Sequence, residues 1–413
     1  MSGSRPNTTQ SATFEVVDHD IPLKKIRTLR FGNSSKEWYE SYLGNRSQQV
    51  LIDGTLSNSL NLEAGVPQGS ILGPLLYVIF TSDLPEFIHS RDAHDAINDN
   101  HNNTHPSPLC IEDNVKYHLH CQTCGGLCCY ADDSTYTKTD KNPIVLKNKI
   151  DEAYKKVESY MTNNKLILNS DKTHLLVMTS ARNHKIHDNY GITLNTGAEI
   201  IKPQNYEKLL GGFISNNLTW KENIRDNKKS LFRIITSRIN ALSKISRISS
   251  FKTRKMIANG IVMSKIIYLI QLWGSSPKYL IDFLQKLQNK AARLVTKKNV
   301  YTPVNELLNQ CGWLSIRQLV VYHNVLQVYK TKHTKKPAYL YQKFTQNFGA
   351  NTRLAKSNAI RMDSKIKSEL GLNNFTYVTS QQWNDLPIDL KQSPKLSDFK
   401  NNAKKWIKEN IAI

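Results

Sequence analysis

Apolar positions recur with two different periods along this chain, and the change of period divides it. Up to about residue 80, short β-branched and aromatic runs alternate with helical patterns. Ala12–Val17 predicts a strand, and Asp18-His19-Asp20-Ile21-Pro22 predicts a helix start with Asp18 as N-cap and proline in the first turn. The next helix carries Trp38, Tyr39, Tyr42 and Leu43 on one side and ends near Gly44-Asn45. Gln48–Asp53 and Leu60–Leu62 predict short strands around the Asp53-Gly54 turn, and Leu72–Asp83 a buried helix. Further on, a strand–turn–strand is expected around Asp132-Asp133, a long helix over Pro143–Asn163, a strand over Thr173–Thr179, and a pair formed by Tyr206–Ile214 and Leu218-Thr219-Trp220.

From about Lys221 the pattern becomes helical throughout. Leu280, Leu284, Leu287, Ala291 and Leu294 advance by fours and threes, so they share one face, with Lys286, Lys290, Arg293 and Lys297 off it. A last amphipathic helix is predicted over Leu396–Ile411. Residues 1–10 are small and polar and read as a disordered leader, and residues 90–120 have little to bury and read as a surface insertion.

Composition narrows the partners. Among 413 residues, 56 basic against 34 acidic side chains leave a formal charge of +22, which favours polyanions, nucleic acid above all. A soluble basic enzyme is the plainer reading of the same number. Met1–Asn7 leads into polar residues rather than an apolar run, so no secretory signal is expected. Ile257–Trp273 is interrupted by Asn259 and Lys265, so no membrane span is expected either. An intracellular protein, nuclear or cytoplasmic, follows as the expectation.

The chemistry lies in two places. Tyr130-Ala131-Asp132-Asp133 puts adjacent carboxylates at a turn, where hard divalent ions such as magnesium can bind. Gly65-Val66-Pro67-Gln68-Gly69-Ser70-Ile71-Leu72-Gly73-Pro74 is a loop that opens a helix. Together with Phe14–Asp20, Trp38–Arg46, Asn164–Thr173 and Lys208–Gly211, these motifs stand in an order that resembles reverse transcriptases of non-LTR retrotransposons. The resemblance implies an α+β fold: a partial right-hand polymerase palm, with an antiparallel sheet and packed helices, over 11–220, interrupted by an insertion at 90–129. A helical thumb and connection over 221–335 and a C-terminal helical region over 336–413 would follow.

It also implies roles. Asp132 and Asp133 would hold magnesium in a two-ion site, and Lys172 would protonate the leaving pyrophosphate. Gln68 and Gly69 would line the nucleotide and template pocket, and Phe14 would be the aromatic gate against a ribose 2′-hydroxyl. RNA template, RNA/DNA hybrid and deoxynucleotide triphosphates would be the partners. The plainer readings are a core phenylalanine at 14 and a solvated lysine at 172. In the family the principal metal ligand lies five residues before the gate, and here that position is Thr9, a neutral hydroxyl. The expectation is therefore an incomplete metal site, absent fingers and a chain inactive as it stands, with a catalytically dead nucleic-acid-binding remnant as the alternative.

Two further features stand apart from the resemblance. Cys110, His118, His120, Cys121, Cys124, Cys128 and Cys129 fall within twenty residues, and the Cys121–Cys124 spacing suits a structural zinc ion. Cys128 and Cys129 could instead pack as small apolar residues. Between Lys221 and Lys255, eleven lysines or arginines face two acidic residues, Glu222 and Asp226. With Leu231, Phe232, Ile235, Ile239 and Leu242 at helical spacing, this predicts an amphipathic helix with a basic outer face. Lys228, Lys229 and Arg233 are then the candidate phosphate contacts.

Overall fold

The computed structural model describes residues 17–29, 31–62, 64–66, 70, 72–89, 110–112, 115–117, 126–130, 133–166, 168–179, 191–197, 199–345, 358–362 and 366–412. For residue 89 and for 110–117 it is the backbone alone that is described. The chain divides into two compact units, Met1–Leu175 with Lys185–Pro203, and Leu176–His184 with Gln204–Ile413.

The first unit is mixed. Helices α1 (Asp20–Thr28) and α2 (Asn33–Leu43) precede β1 (Ser47–Gln48), β2 (Leu51–Ile52), β3 (Thr55–Leu56) and β4 (Leu60–Asn61). Asp53-Gly54 does make the tight turn, but its strands are β2 and β3; β1 and β4 pair outside them. Helices α3 (Leu72–Phe80) and α4 (Leu84–His89) follow, then the pairs β5 (Cys110–Glu112) with β6 (Val115–Tyr117) and β7 (Gly126–Tyr130) with β8 (Asp133–Thr137). Helix α5 (Pro143–Asn163) starts cleanly because Asn142 accepts the Ile144 N–H at 2.9 Å and Pro143 fills the first position, where its missing N–H costs nothing. A short pair, β9 (Leu194–Asn195) with β10 (Ile200–Ile201), completes the unit.

Its core is built from the faces that amphipathic helices must cover. Ile26 of α1, Tyr39 and Leu43 of α2, Val66, and Leu76 and Ile79 of α3 bury one another. Trp38 lies beside this face rather than in it: it is 49% exposed and stacks on Tyr42 at 5.1 Å, one helical turn on. Val17, Tyr77, Phe80 and Leu166 form a second cluster. Ala12–Phe14 lie outside the described residues. The strand expected over Thr173–Thr179 reduces to one bridge, Leu175 to Pro203. A proline partner has no N–H to carry a ladder onward.

The second unit begins with the hairpin β11 (Tyr206–Leu209) and β12 (Gly212–Ser215) and is otherwise helical among the described residues. Its helices are α6 (Leu231–Ser246), α7 (Phe251–Ala258), α8 (Ser264–Ile267), α9 (Ile270–Trp273), α10 (Lys278–Thr296), α11 (Val304–Cys311), α12 (Ile316–Thr334), α13 (Ala338–Phe344), α14 (Glu369–Leu372), α15 (Phe375–Asn384), α16 (Ile388–Lys391) and α17 (Leu396–Asn410). Helix α10 buries Leu280, Leu284, Leu287 and Ala291, and its apolar stripe ends on Val295 with Leu294 at the margin. Helix α12 is the axis of the bundle, buried on nearly every side against α9, α10, α13, α15 and α17. Its start is held by a Ser315–Gln318 capping box, by Gln285 Oε1 accepting the Ile316 N–H at 2.8 Å, and by Gln288 Nε2 donating to the Leu314 carbonyl at 2.9 Å. Among the described residues, no helix is long and apolar enough to cross a membrane.

Candidate active site

The acidic turn sits at the tip of the β7–β8 hairpin. Tyr130 pairs with Asp133, so the connection is the two residues 131 and 132. At the base, Leu127 and Tyr136 are half-buried against Leu84, Ile88 and Tyr160, which fixes the hairpin on α4 and α5. Toward the tip burial stops: Cys128, Cys129, Tyr130 and Asp133 are exposed. Asp133 presents its carboxylate to solvent, whereas Asp132 lies outside the described residues.

The Pro67-Gln68-Gly69 loop also lies outside the described residues, but its two ends are held. On the near side, Gly65 has φ of +90°, a conformation that a side chain would strain. Its N–H donates to the Val17 carbonyl at 2.8 Å, and His19 Nε2 donates to its carbonyl at 2.7 Å. On the far side, Ser70 Oγ accepts the Gly73 N–H at 2.9 Å and caps α3. The loop therefore leaves and re-enters rigid structure at fixed points.

Asp18 serves this arrangement twice. Its Oδ1 accepts the Asp20 N–H at 3.0 Å, as a capping residue does, although α1 begins at Asp20. Its Oδ2 receives Lys165 Nζ at 2.5 Å, and that contact holds the Asp18 carboxyl below the usual range and the Lys165 amine above its own. Lys165 reaches it from a left-handed residue, φ +57°, just past the end of α5. The pair joins the entry to α1 with the Asn164-Lys165-Leu166 segment.

Below the hairpin lies a polar node that sequence reasoning did not anticipate. Lys25 Nζ donates to the Phe80 carbonyl at 2.5 Å, to Asp83 Oδ1 at 2.7 Å, to Asn164 Oδ1 at 3.0 Å and to the Tyr160 hydroxyl at 3.2 Å. The Tyr160 hydroxyl in turn donates to Asp83 at 2.5 Å. Burial, with the Asp83 carboxylate beside it, pushes the Tyr160 phenol far above its ordinary value, so it stays a donor at any physiological pH. One ammonium thus ties α1, the end of α3 and the end of α5. A single lysine in an amphipathic pattern carries no signal of this.

The remaining candidates are dispersed. Lys172 is exposed on the single turn Ser170–Lys172. Lys228, Lys229 and Arg233 are exposed in the second unit, before and on α6. In the same unit Phe283 meets the Phe232 ring at 5.6 Å and lies under Arg225 at 4.6 Å and Lys286 at 6.0 Å. Phe14, Cys121 and Cys124 lie outside the described residues. Among the described residues no group of three or more metal-ligating side chains gathers.

Residues 10–211 match the family of reverse transcriptases, RNA-dependent DNA polymerases. The chain is also similar to the RNA-directed DNA polymerase from mobile element jockey of Drosophila funebris, 26% identical over 68% of the chain and 27% of that protein. A probable RNA-directed DNA polymerase from transposon BS of Drosophila melanogaster is 24% identical over 75% of the chain and 31% of its own length. A third, from transposon X-element of the same species, is 25% identical over 62% of the chain and 24% of its length. The chain therefore spans 24% to 31% of the length of these curated relatives. The acidic hairpin, the anchored loop and the segment after α5 all fall inside the matched stretch, and residues 10–211 are a reverse-transcriptase domain of the non-LTR retrotransposon type.

Proposed function

We propose that this domain descends from an RNA-directed DNA polymerase in which Asp132 and Asp133 face the reacting phosphates, and that the chain by itself grips a primer–template without extending it. The observation carrying the first half is the hairpin: Tyr130 pairs with Asp133 on a base packed against α4 and α5, which projects the acidic turn from a rigid support. In the reaction, a primer 3′-hydroxyl attacks the α-phosphate of a deoxynucleotide triphosphate; the new phosphodiester bond forms as pyrophosphate leaves. Adjacent carboxylates are the hard oxygen donors that magnesium prefers, so Asp132 and Asp133 would hold it. Bound there, the metal would stabilise charge on the attacking and leaving oxygens.

The chain's own residues would do the rest. Gln68 and Gly69 would line the nucleotide and template pocket, held in place by the Gly65 and Ser70 anchors. Phe14 would exclude a ribose 2′-hydroxyl, and Lys172 would give a proton to pyrophosphate. The second unit would act as thumb, with Lys228, Lys229 and Arg233 on the phosphate backbone through contacts that weaken with salt. Cys121 and Cys124 would hold a structural zinc ion, which metal analysis of the purified protein tests.

The second half of the proposal rests on Thr9, which stands where the resemblance requires a carboxylate. A hydroxyl has no charge with which to bridge two cations. Primer extension on an RNA template with magnesium and four deoxynucleotides is the test. The expected result is salt-sensitive binding of the hybrid and no extension by the native chain. Robust extension would overturn the claim of inactivity, and loss of that extension in Asp132→Asn would then establish the acidic turn as catalytic.

A further inference from the structure

One end of the helical unit carries an arrangement that polymerase chemistry does not use. The α6–α7 turn, Arg247–Ser250, lies against the α10–α11 turn, Lys297–Thr302. Three bonds hold them: Arg254 Nε to the Val295 carbonyl at 2.8 Å, Arg254 Nη1 to the Ser249 carbonyl, and Lys297 Nζ to the Arg247 carbonyl at 3.4 Å. Arg254 is itself buried, so this junction is a built part of the fold. The α10–α11 turn is stiffened from within. Asn299 Oδ1 accepts the Tyr301 and Thr302 N–H groups and the Thr302 hydroxyl, each at 3.1 Å, and Arg293 Nη2 donates to the Val300 carbonyl at 3.3 Å.

These rigid turns hold apolar side chains out in water. Ile248 is 90% exposed, Tyr301 88% and Val300 71%, and Phe251, the first residue of α7, adds an exposed ring edge. Arg247, Lys252, Lys297 and Lys298 are exposed among them, and neither 247–252 nor 297–302 contains an acidic residue. The nearest compensation is Glu306, 3.6 Å from Lys298. A surface of flat or branched apolar groups set among four cations with one carboxylate beside them fits a ligand with alternating apolar faces and negative charges.

We propose that this end of the bundle is a platform for a single unpaired strand of nucleic acid, with Tyr301 stacking on a base, Ile248 and Val300 packing beside it, and Arg247, Lys252 and Lys297 on the flanking phosphates. An unpaired strand offers both the π-face and the phosphate, whereas a duplex hides its base faces. Preorganisation of the Asn299 turn removes most of the ordering cost of presenting Tyr301. A membrane would supply apolar matter and charge too, but a few protruding side chains offer little area for insertion, on which such binding depends. The platform belongs to the second unit and needs no polymerase activity.

Fluorescence anisotropy on the full chain tests this, using a labelled oligouridine of about 12 nucleotides, within the range a single binding surface covers. Tyr301→Ala should weaken oligouridine binding about tenfold, and Tyr301→Phe should restore it, since the ring and not the hydroxyl is used. The same Tyr301→Ala should leave binding of a blunt RNA duplex unchanged. Arg247→Glu with Lys252→Glu should weaken the oligouridine and flatten its salt dependence, while Lys395→Glu with Lys405→Glu, of equal charge, should cost much less. All these positions are exposed, and unchanged thermal unfolding would verify that the variants fold. Three outcomes would overturn the proposal: no effect of Tyr301→Ala, an equal loss for the duplex, or phosphatidylserine vesicles binding through Tyr301 where oligouridine does not. Failure of primer extension would leave it untouched.

Discussion

Replacing Lys25 by methionine isolates the node beneath the hairpin, because methionine keeps most of the stem that covers the Phe80 and Tyr160 rings and deletes only the charge. Lys25 Nζ sits 5.1 Å and 5.3 Å from those ring centres. The lysine side chain is 16% exposed and Asp83 49%, so water can take over at Asp83 but less readily at the Phe80 carbonyl and Asn164 Oδ1. Two charge-assisted bonds at ~1.5–3 kcal/mol each give an upper sum, reduced because they share one ammonium and because ordering a lysine costs ~2 kcal/mol. A net loss of about 2–3 kcal/mol follows. At 1.4 kcal/mol per factor of ten, that corresponds to amide exchange roughly 30- to 150-fold faster. The increase should appear in peptides from α1, the end of α3 and the end of α5, and not in the helical unit. Hydrogen exchange read by mass spectrometry resolves these segments. Tyr160→Phe combined with Lys25→Met should cost less than the two changes summed, because both partners hold Asp83. Unchanged protection in α1 and α5 would refute the reasoning and reduce Lys25 to a solvated lysine.

The other expectations are simpler. Gly274→Ala should lower the melting temperature of the helical unit, at a cost of about 3 kcal/mol, because its Cβ would collide with the Ile270 carbonyl oxygen and stand 2.7 Å from a Val320 methyl. The Asp18–Lys165 contact should fail in acid. A depressed carboxyl stabilises the fold above about pH 4, its unfolded value, and that contribution is lost as pH falls through the folded value, so exchange at the start of α1 should quicken there and Lys165→Met should abolish the step. Lys332 behaves with the opposite sense. Burial, with Lys391 nearby, lowers its amine to about 8, so between that and its unfolded value near 10 the unfolded chain binds more protons, and the helical unit should gain stability as pH rises through this window. Chemical denaturation across that range, against Lys332→Met, checks the slope.

Local pattern and resemblance were enough to place the acidic hairpin and the long helices. The Pro143–Asn163 helix and the α10 stripe are properties of single elements, and period alone specifies them, while the acidic hairpin was marked by its turn motif. The resemblance located the family from ordered motifs without any fold. Other features were hidden because they belong to no single element. Lys25 meets partners 55, 58, 135 and 139 residues away, and nothing near it in the chain marks it as different from Lys24. Helix α12 has apolar residues on all sides, so periodicity could say that it is buried but not what surrounds it. The expected strand at Thr173–Thr179 had suitable residues, and the neighbour it met was a proline. Nothing local marks Ile248 or Tyr301; that the turns bearing them are held together follows from Arg254 and Lys297 crossing between two segments about fifty residues apart. Short-range sterics and side-chain period determine elements, so the sequence by itself could specify those. Which elements meet is decided by the burial of whole faces, so the node beneath the hairpin and the basic platform were decided by the tertiary structure alone.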